Sequence, residues 1–406
     1  MKYAFLVGDG MSDSPIDQLG GKTPLEAAHI PNMHSIARRG KTGLVRTIPR
    51  GQAPGSYVGN LTLLGYDPAL YYSGRASAEA ANIGVELGNK DVAFRCNLVT
   101  IVDEVMEDFS AGHIPTGEAA ELIKALDAAL GTGAVAFRAG TSYRHLLVVH
   151  ADQLEEIDVT QLKAINCTPP HDISGQKVLG HLPRGEGSAV LRDLMEQALG
   201  VLSSHPVNIK RMAEGKKPAN WIWPWGQGWK PQMPPFLEHY GVTGAVISAV
   251  DLVKGLGKGI GLEVVDVPGA TGYLDTNYAG KAEHGLRALE RHDFVYLHVE
   301  APDEASHEGN LELKMKAIEQ FDELVVGTVL RGLEQFDEWR ILVTPDHATS
   351  LKKRTHVGDE VPFAMAGTGI EPDSCELYDE RTASSSGLAF LEGHELMPYF
   401  IRHNRS

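Results

Sequence analysis

Asp303-Glu-Ala-Ser-His307 is the first part of the most informative feature of this chain, which continues with Asp346-His347 and ends at His356. The side chains of these five residues combine carboxylate oxygens with imidazole nitrogens. That mixture is typical of sites for Zn, Mn or Fe, whereas Ca prefers oxygen ligands alone. Each residue alone could have a structural role, Asp303 as a helix cap and the histidines as solvated side chains. Together, at this spacing, they predict a metal site.

Two local patterns indicate how the chain presents these side chains. Residues four apart lie on one face of a helix, so a helix over the first motif directs Asp303 and His307 to the same side. The apolar run 341–344 predicts a buried strand that carries the Asp-His pair at its carboxyl end. His356 follows nine residues later in a polar loop.

The amino terminus supplies another acidic side chain of the same kind. The apolar run 3–7 predicts a strand, and Asp9 follows it between Gly8 and Gly10. Because its neighbours lack side chains, the Asp9 carboxylate can approach a metal without steric interference. The alternative is an ordinary strand-to-loop turn.

A candidate nucleophile stands in the segment Ala53-Pro-Gly-Ser56. Pro54 and Gly55 place Ser56 at a predicted helix start, where free N–H groups and the helix dipole favour an anion. Beside a metal site, Ser56 becomes a nucleophile whose alkoxide the metal could stabilise. The alternative is that Ser56 is only a helix cap.

In chain order, these motifs resemble the metal and nucleophile motifs of the alkaline phosphatase superfamily. Four other stretches make the chain resemble, over nearly its whole length, the cofactor-independent phosphoglycerate mutases of archaeal type: Asp91-Val-Ala-Phe-Arg-Cys-Asn97, Ser110-Ala-Gly-His113, Ser142-Tyr-Arg-His145 and Val267-Pro-Gly-Ala-Thr-Gly272. The chain differs from that family's pattern at two positions. Tyr57 follows Ser56 where an acidic residue is usual, and Trp225 begins a loop that usually carries an arginine.

The resemblance implies two divalent metal ions, with Mn preferred and Zn, Co or Mg as alternatives. The implied ligands are Asp9, Ser56, Asp346 and His347 for one ion, and Asp303, His307 and His356 for the other. It also implies an isomerase of glycolysis and gluconeogenesis that interconverts 3-phosphoglycerate and 2-phosphoglycerate through a phosphoserine at Ser56. A metal-dependent phosphomonoesterase, or a phosphotransferase acting on another small alcohol such as homoserine, would use the same groups and stays open.

Further candidates concern the substrate. The candidate substrate contacts are Arg95, Asp108, Arg138 and Arg144, and the candidate catalytic residues beside Ser56 are His113 and Lys254. Arginine forks bind carboxylate and phosphate at two points, and a histidine can move a proton between glycerate hydroxyls. The lysine could stabilise the serine alkoxide. The alternatives are ion-paired or surface arginines and an exposed helix lysine.

The order of the motifs predicts an insertion, because the serine motif lies near the start and the Asp303 motif far behind it. We expect a metal-binding core formed by 1–90 and 207–406 and a cap domain formed by 91–206. Alternation of strand-like and helical segments predicts an α/β fold. The expected fold is an alkaline-phosphatase-like core with a largely parallel sheet between helices, plus an inserted smaller α+β cap domain. The Trp-rich segment 221–229 predicts a strand that runs into a glycine-rich loop.

The bulk composition agrees with a cytoplasmic enzyme that acts on a small phosphorylated substrate. It is also compatible with a homo-oligomer. The 406 residues carry a formal net charge of -16, which argues against nucleic acid and anionic membranes as partners. The three cysteines are widely spaced, so we expect reduced thiols. The apolar run at the N-terminus is far too short for a signal or a membrane span.

Overall fold

The computed structural model describes residues 1–403. Within that range the chain forms fifteen strands: β1 (Lys2–Gly8), β2 (Gly40–Val45), β3 (Asp91–Val102), β4 (Val105–Asp108), β5 (Val135–Arg138), β6 (Arg144–His150), β7 (Trp221–Trp229), β8 (Gly244–Ile247), β9 (Glu263–Val264), β10 (Phe294–Val299), β11 (Trp339–Thr344), β12 (Ala348–Ser350), β13 (Thr355–Val357), β14 (Val361–Gly367) and β15 (Ala389–Phe390).

The same range contains seventeen α-helices: α1 (Pro24–Ala27), α2 (Pro31–Arg38), α3 (Ser56–Leu63), α4 (Pro68–Tyr71), α5 (Arg75–Asn82), α6 (Thr116–Leu130), α7 (Val159–Ala164), α8 (Ser188–Ser203), α9 (Pro206–Ala213), α10 (Phe236–Tyr240), α11 (Asp251–Gly259), α12 (Tyr278–Arg291), α13 (Ala301–Glu308), α14 (Leu311–Gln320), α15 (Gly327–Leu333), α16 (Glu380–Ser385) and α17 (Leu396–Arg402). A π-helical segment, Phe321–Val326, joins α14 to α15.

The chain divides into two compact units. The core unit comprises Met1–Tyr72 and the described residues from Gln232 onward. The inserted unit comprises Ser73–Pro231 and therefore interrupts the core unit in sequence. Each unit has its own buried apolar cluster, which allows each to be described by itself.

The core unit contains an eight-stranded sheet in the order β15-β2-β14-β11-β1-β10-β8-β9. Its centre is parallel, since β1 pairs in parallel with β10 and β11, and β10 with β8. Only β14 introduces antiparallel pairing, to β11 and β2. These central strands are almost completely buried, which explains why they read as continuous apolar runs rather than alternating ones. The predicted α/β fold with a largely parallel sheet is confirmed.

The parallel pairing also determines where the polar motifs meet. Strands β11, β1, β10 and β8 are neighbours that run in one direction, so their carboxyl ends lie at the same edge of the sheet. Asp9 directly follows β1, Asp346 follows β11, and Ser248 follows β8. Residues that are hundreds of positions apart in sequence thereby become neighbours.

The inserted unit is an antiparallel sheet with helices, and its limits are wider than the predicted range 91–206. Strands β4, β3, β6 and β5 follow one another, and β7 pairs with the second edge of β3. Because β7 is hydrogen-bonded to β3, the chain up to Pro231 belongs to this unit. Helix α5 packs against β7 and β3, which moves the first boundary back to Ser73.

The Trp-rich segment differs from the prediction of a strand that ends in a glycine-rich loop. All of Trp221–Trp229 is strand β7, including both glycines. Gly228 lies so close to α5 that a Cβ there would come within 2.3 Å of the Ser77 backbone nitrogen. The glycines therefore allow close packing inside a strand, a role that composition alone does not distinguish from a loop.

Cys96, Cys167 and Cys375 are all free thiols, as expected. Among residues 1–403, none of the helices is both long and apolar enough to cross a bilayer.

Candidate metal centre

Helix α13 carries the Asp303 motif, as the four-residue spacing predicts. Pro302 lies in its first turn, where the missing N–H of proline leaves no helix hydrogen bond unmade. Asp303 is favoured at the same end by the helix dipole. Its Oδ2 atom lies 3.1 Å from His307 Nε2, so the two side chains do project from one face.

His356 completes a compact cluster beside α13. Its Nε2 atom lies 2.9 Å from His307 Nε2 and 3.5 Å from Asp303 Oδ2. His307 Nδ1 donates to the carbonyl oxygen of Arg354 at 3.0 Å. Because Nδ1 is the donor, the neutral ring keeps its lone pair on Nε2, which faces the other two groups.

The pKa values of Asp303 and His307 indicate that this cluster favours bound positive charge. Burial by itself raises the pKa of Asp303, but the hydrogen bonds from His307 and His356 hold that pKa well below its usual range. The pKa of His307 is raised to about 9, chiefly by its hydrogen bond to Asp303. A metal ion that binds here therefore displaces a proton from His307.

Asp9 and Asp346 form the second acidic pair, and both are buried. Asp346 accepts hydrogen bonds from the Gly10 N–H at 3.3 Å and from Asn60 Nδ2 at 2.7 Å. By contrast, neither carboxylate oxygen of Asp9 has a hydrogen-bond partner among the described residues. Burial, reinforced by the negative charge of Asp346, raises the pKa of Asp9 well above its usual value.

Ser56 is the first residue of α3, with Gly55 in the capping position. Its side chain makes no capping hydrogen bond, so the structure does not give it the alternative role of helix cap. Its hydroxyl instead lies 3.1 Å from His347 Nε2. The same Nε2 atom lies 3.3 Å from Asp9 Oδ1, so His347 links the serine to the buried carboxylates.

Thr349 fixes the orientation of His347 and was not identified from the sequence. Its hydroxyl donates to Asp303 Oδ1 and lies 3.1 Å from His347 Nδ1. Since the single hydroxyl proton goes to the carboxylate, Nδ1 of His347 must be the donor to Thr349 Oγ1. The lone pair of neutral His347 is then on Nε2, directed at Ser56. Burial lowers the pKa of His347, which favours this neutral form.

A second supporting network lies under the serine. Asn60, one turn further along α3, donates to both the Ser56 carbonyl and Asp346 Oδ2. Its own carbonyl oxygen accepts from the Tyr296 hydroxyl at 2.7 Å. One buried amide therefore makes three hydrogen bonds, which connect helix α3 to strand β10 and to the segment that follows β11.

Two glycines permit the close approach of these elements. Gly10 has φ +61°, and a Cβ there would come within 2.5 Å of Asp303 Oδ1. A Cβ at Gly59 would come within 2.4 Å of the Asp346 carbonyl oxygen. The prediction that glycine beside Asp9 allows close approach is consistent with the first of these contacts.

His298, inside strand β10, also enters the site without having been singled out from the sequence. It is fully buried, and its Nε2 atom lies 3.0 Å from Asp9 Oδ2. Burial lowers the pKa of His298 to about 4, so the ring is neutral. The available signal was a histidine that shares its strand face with Tyr296 in an otherwise apolar run.

Two groups of potential ligand atoms result, each within 4.8 Å: Asp303, His347 and His356, and Asp9, His298 and Asp346. The first group lies beside His307, and His347 also approaches Asp9, so the predicted division of ligands is not sharp in the structure. Buried carboxylates without hydrogen-bond partners are costly unless a cation compensates them. The mixed oxygen and imidazole donors therefore fit divalent transition metals.

The Lys254 ammonium group, on α11, lies 2.8 Å from Asp266 Oδ1. A second lysine contacts the strand that carries His298. Lys281 is completely buried and donates to the backbone carbonyl of His298 at 3.1 Å. Burial lowers the pKa of Lys281 to about 8.

The candidate arginines all lie in the inserted unit, in different settings. Arg95 pairs with Glu79 at 2.7 Å and stacks on the Trp225 ring, with 4.3 Å between guanidinium carbon and ring centroid. Arg144 is exposed and lies over the ring of Tyr143. Arg138 instead pairs with Asp127 at 3.3 Å, which corresponds to the ion-paired alternative.

Asp108 and His113 belong to one tight turn of the inserted unit. Asp108 accepts from the backbone N–H and the hydroxyl of Ser110, and its other oxygen accepts from Lys217 at 3.1 Å. Ser110 Oγ in turn accepts from the His113 N–H at 3.1 Å. Asp108 thus shapes the turn, and the exposed His113 lies at its end with its ring against Tyr143.

Comparison with known proteins gives a consistent result. A family model described as 2,3-bisphosphoglycerate-independent phosphoglycerate mutase matches residues 37–208. A protein of that name from Methanothrix thermoacetophila is 52% identical over 402 residues, which cover 99% of this chain and 100% of the relative. A relative from Geobacter sulfurreducens, named as a probable enzyme of the same kind, is 53% identical over 406 residues, 99% of this chain and 100% of its own.

Solved structures agree with the fold. A protein from Pyrococcus horikoshii is 30% identical with a TM-score of 0.79, covering 100% of this chain and 98% of its own. The cofactor-independent phosphoglycerate mutase from Thermoplasma acidophilum is also 30% identical, with a TM-score of 0.73 and 99% of each chain covered.

Proposed function

The chain belongs to the 2,3-bisphosphoglycerate-independent phosphoglycerate mutase family, and from this premise we propose that it interconverts 3-phosphoglycerate and 2-phosphoglycerate through a phosphoserine at Ser56. The enzyme is accordingly an isomerase of the phosphoglycerate mutase class. The observation that carries the proposal is the position of Ser56 at the start of α3, 3.1 Å from the unprotonated nitrogen of His347.

In the proposed reaction, Ser56 Oγ attacks the phosphorus of 3-phosphoglycerate and the bond from phosphorus to the C3 oxygen breaks. The C3 oxygen leaves as a hydroxyl after taking up a proton. The C2 hydroxyl then attacks the phosphoserine, gives up its proton and releases Ser56. No atom is gained or lost, so the reaction is an isomerisation.

The groups around Ser56 suit this chemistry. Backbone N–H groups at the start of α3 have no helical partner and favour a phosphate. Bound divalent metals would stabilise the negative charge of the serine alkoxide and of the phosphoryl oxygens. We propose Asp9, Ser56, Asp346 and His347 as ligands of one ion, and Asp303, His307 and His356 as ligands of the other. Mn is our preferred metal.

Substrate recognition is proposed to come from the inserted unit. Arg95 and Arg144 would bind the carboxylate and phosphate of the glycerate, and His113 would move the proton between its hydroxyls. Arg95 is held by Glu79 and Trp225, so its fork is oriented before a ligand arrives. Asp108 and Arg138 are proposed as further substrate contacts; Asp108 also shapes the turn that carries His113, and Arg138 pairs with Asp127 in the present structure.

The test is incubation of the purified enzyme with 3-phosphoglycerate and added Mn, while both 2-phosphoglycerate and free phosphate are measured. We expect 2-phosphoglycerate as the main product, and Ser56→Ala should lose turnover by more than about a thousandfold. Because Ser56 makes no capping bond, the variant should keep the parent's circular dichroism and melting temperature. Free phosphate as the main product would favour the phosphomonoesterase instead, and normal turnover of Ser56→Ala would exclude Ser56 as acceptor.

A further inference from the structure

Strand β10 brings a histidine to the Asp9 side of the site that the proposed ligand set does not include. His298 Nε2 and Asp9 Oδ2 are only 3.0 Å apart, and both residues are buried. Despite this short distance, neither atom has a hydrogen-bond partner among the described residues. Asp9 Oδ1 is also without one. Three unpaired polar atoms therefore lie together in the interior of the core unit.

The other side of the His298 ring is held in place. His298 Nδ1 lies 3.3 Å from Ser248 Oγ, which already accepts the Val250 N–H at 3.0 Å. The serine oxygen retains a second lone pair, so Nδ1 can donate its proton there and leave the lone pair on Nε2. A ring nitrogen that donates away from the site is the usual support of a metal-binding histidine.

A purely structural role explains these contacts less well. If His298 only supported Asp9, its Nε2–H would point at the carboxylate and form a hydrogen bond, which the geometry does not give. Two atoms that share one cation, each bound at about 2.0–2.2 Å, lie roughly 3 Å apart without any hydrogen bond between them. The separation of Nε2 and Oδ2 matches that second arrangement.

We propose that His298 Nε2 is a ligand of the same metal ion as Asp9 and Asp346. The inference rests on the proposed function, because it assumes that the enzyme binds two metal ions. Its new element is a fifth protein group on the Asp9 side, in addition to the proposed ligands Asp9, Ser56, Asp346 and His347. Lys281 would have a supporting part, since it holds the backbone carbonyl of His298 at 3.1 Å.

The experiment compares metal binding, not activity, in the purified full-length chain. Two substitutions separate the ring nitrogens: His298→Asn retains a polar group near Nδ1 and removes the one near Nε2, while His298→Gln places an amide near Nε2. Metal content is measured by mass spectrometry after equilibration at one fixed free Co(II) concentration, chosen so that it just fills both sites of the parent, and the visible spectrum of bound Co(II) reports its ligands. His284→Asn is the matched control, because His284 lies on α12, where its Nδ1 is 2.8 Å from the Gly280 carbonyl oxygen of the same helix.

At that Co(II) concentration we expect two bound equivalents in the parent and in His284→Asn, and about one bound equivalent in His298→Asn. The affinity for the ion on the Asp9 side should fall about 10–100-fold in His298→Asn. The affinity of His298→Gln should be intermediate. The spectrum of bound Co(II) should change in both variants. Two equivalents at parental affinity with an unchanged spectrum in His298→Asn would overturn the inference.

Two further measurements distinguish a failure of the His298 inference from a failure of the proposed two-metal function. A parent that binds fewer than two equivalents would contradict the two-metal function itself, independently of His298. If His298→Asn does not fold, Ser248→Ala decides the matter, because it keeps the ring but removes the acceptor of Nδ1. We then expect a smaller loss of affinity for one ion and a shifted Co(II) spectrum; no change in either would count against a metal-facing His298.

Discussion

At the scale of single residues, the candidate site depends on the groups that orient the proposed ligands as much as on those ligands. Thr349 is the clearest case, because its hydroxyl donates to Asp303 and leaves His347 Nδ1 as a donor. One hydroxyl proton thereby determines that the His347 nitrogen facing Ser56, Nε2, carries a lone pair and not a proton. Asn60 has the same role for Asp346 and for the backbone of Ser56.

Replacement of Thr349 by valine tests this role with little change in volume. Without the hydroxyl, His347 Nδ1 and Asp303 Oδ1 both lose a buried partner, so we expect metal affinity and turnover to fall about 10–100-fold. Thr42→Val is the matched control, because Thr42 is equally buried and its hydroxyl has no partner among the described residues. Parental metal affinity in Thr349→Val would show that the hydroxyl does not orient His347.

At the scale of elements, the position of Ser56 follows from how helix α3 approaches the end of β11. The contact is made at Gly59, where a Cβ would lie 2.4 Å from the Asp346 carbonyl oxygen. That oxygen belongs to the backbone, so it cannot move away by a change of side-chain rotamer. A larger residue must therefore move the helix, and with it Ser56.

Gly59→Ala should displace α3 and separate Ser56 from His347. A shift of about 1 Å in a catalytic group can reduce turnover about a hundredfold, and we expect at least that loss in a steady-state assay. Gly200→Ala is the control, because Gly200 lies on α8 with open space around its Cβ position. That substitution should leave turnover unchanged and stabilise the protein by about 0.5–1 kcal/mol. Parental turnover of Gly59→Ala would contradict the tight approach.

Strand β6 of the inserted unit carries a histidine that should make stability depend on pH. His145 is buried, and its Nδ1 accepts the Gly140 N–H at 3.1 Å. Burial lowers the pKa of His145 to about 4, against 6.5 for the free side chain. Between these values the unfolded chain binds more protons than the folded one. The stabilisation is therefore complete above pH 6.5 and is lost as the pH falls toward 4.

The measurement is urea unfolding followed by tryptophan fluorescence between pH 4 and 8. Trp221, Trp223, Trp225 and Trp229 all lie in the inserted unit and Trp339 alone in the core unit, so the signal reports mainly on the former. His145→Asn keeps an acceptor for Gly140 but does not titrate. Between pH 6.5 and 4, we expect the free energy of unfolding to decrease less steeply with falling pH in this variant than in the parent. The same pH dependence in both proteins would rule out His145 as the cause.

At the scale of the whole molecule, the core unit places several acidic side chains in its interior. The chain carries a formal net charge of -16, and Asp9, Asp303 and Asp346 are buried at one edge of the sheet. Burial, and after it the repulsion from Asp346 and Asp303, raises the pKa of Asp9. Bound cations would remove that repulsion, so metal binding and stability should be linked.

Removal of metal should therefore change both activity and stability. After treatment with a chelator we expect turnover to vanish and the melting temperature to fall, and added Mn should restore both. The size of the stabilisation should grow with the logarithm of free metal concentration. Full activity in a sample with less than one equivalent of metal by mass spectrometry would contradict a metal-dependent reaction.

The main element types and the donor chemistry of the proposed ligands follow from local sequence patterns. Apolar runs ending near Asp9 and Asp346, and the four-residue spacing of Asp303 and His307, are patterns whose physics does not require the rest of the chain. The residues that support these side chains could be found only from the folded chain. Thr349, Asn60 and His298 reach the site because parallel strands align their carboxyl ends and α3 packs closely at Gly59. Such long-range contacts leave no periodicity or spacing in the sequence, since they arise only when distant segments pack together.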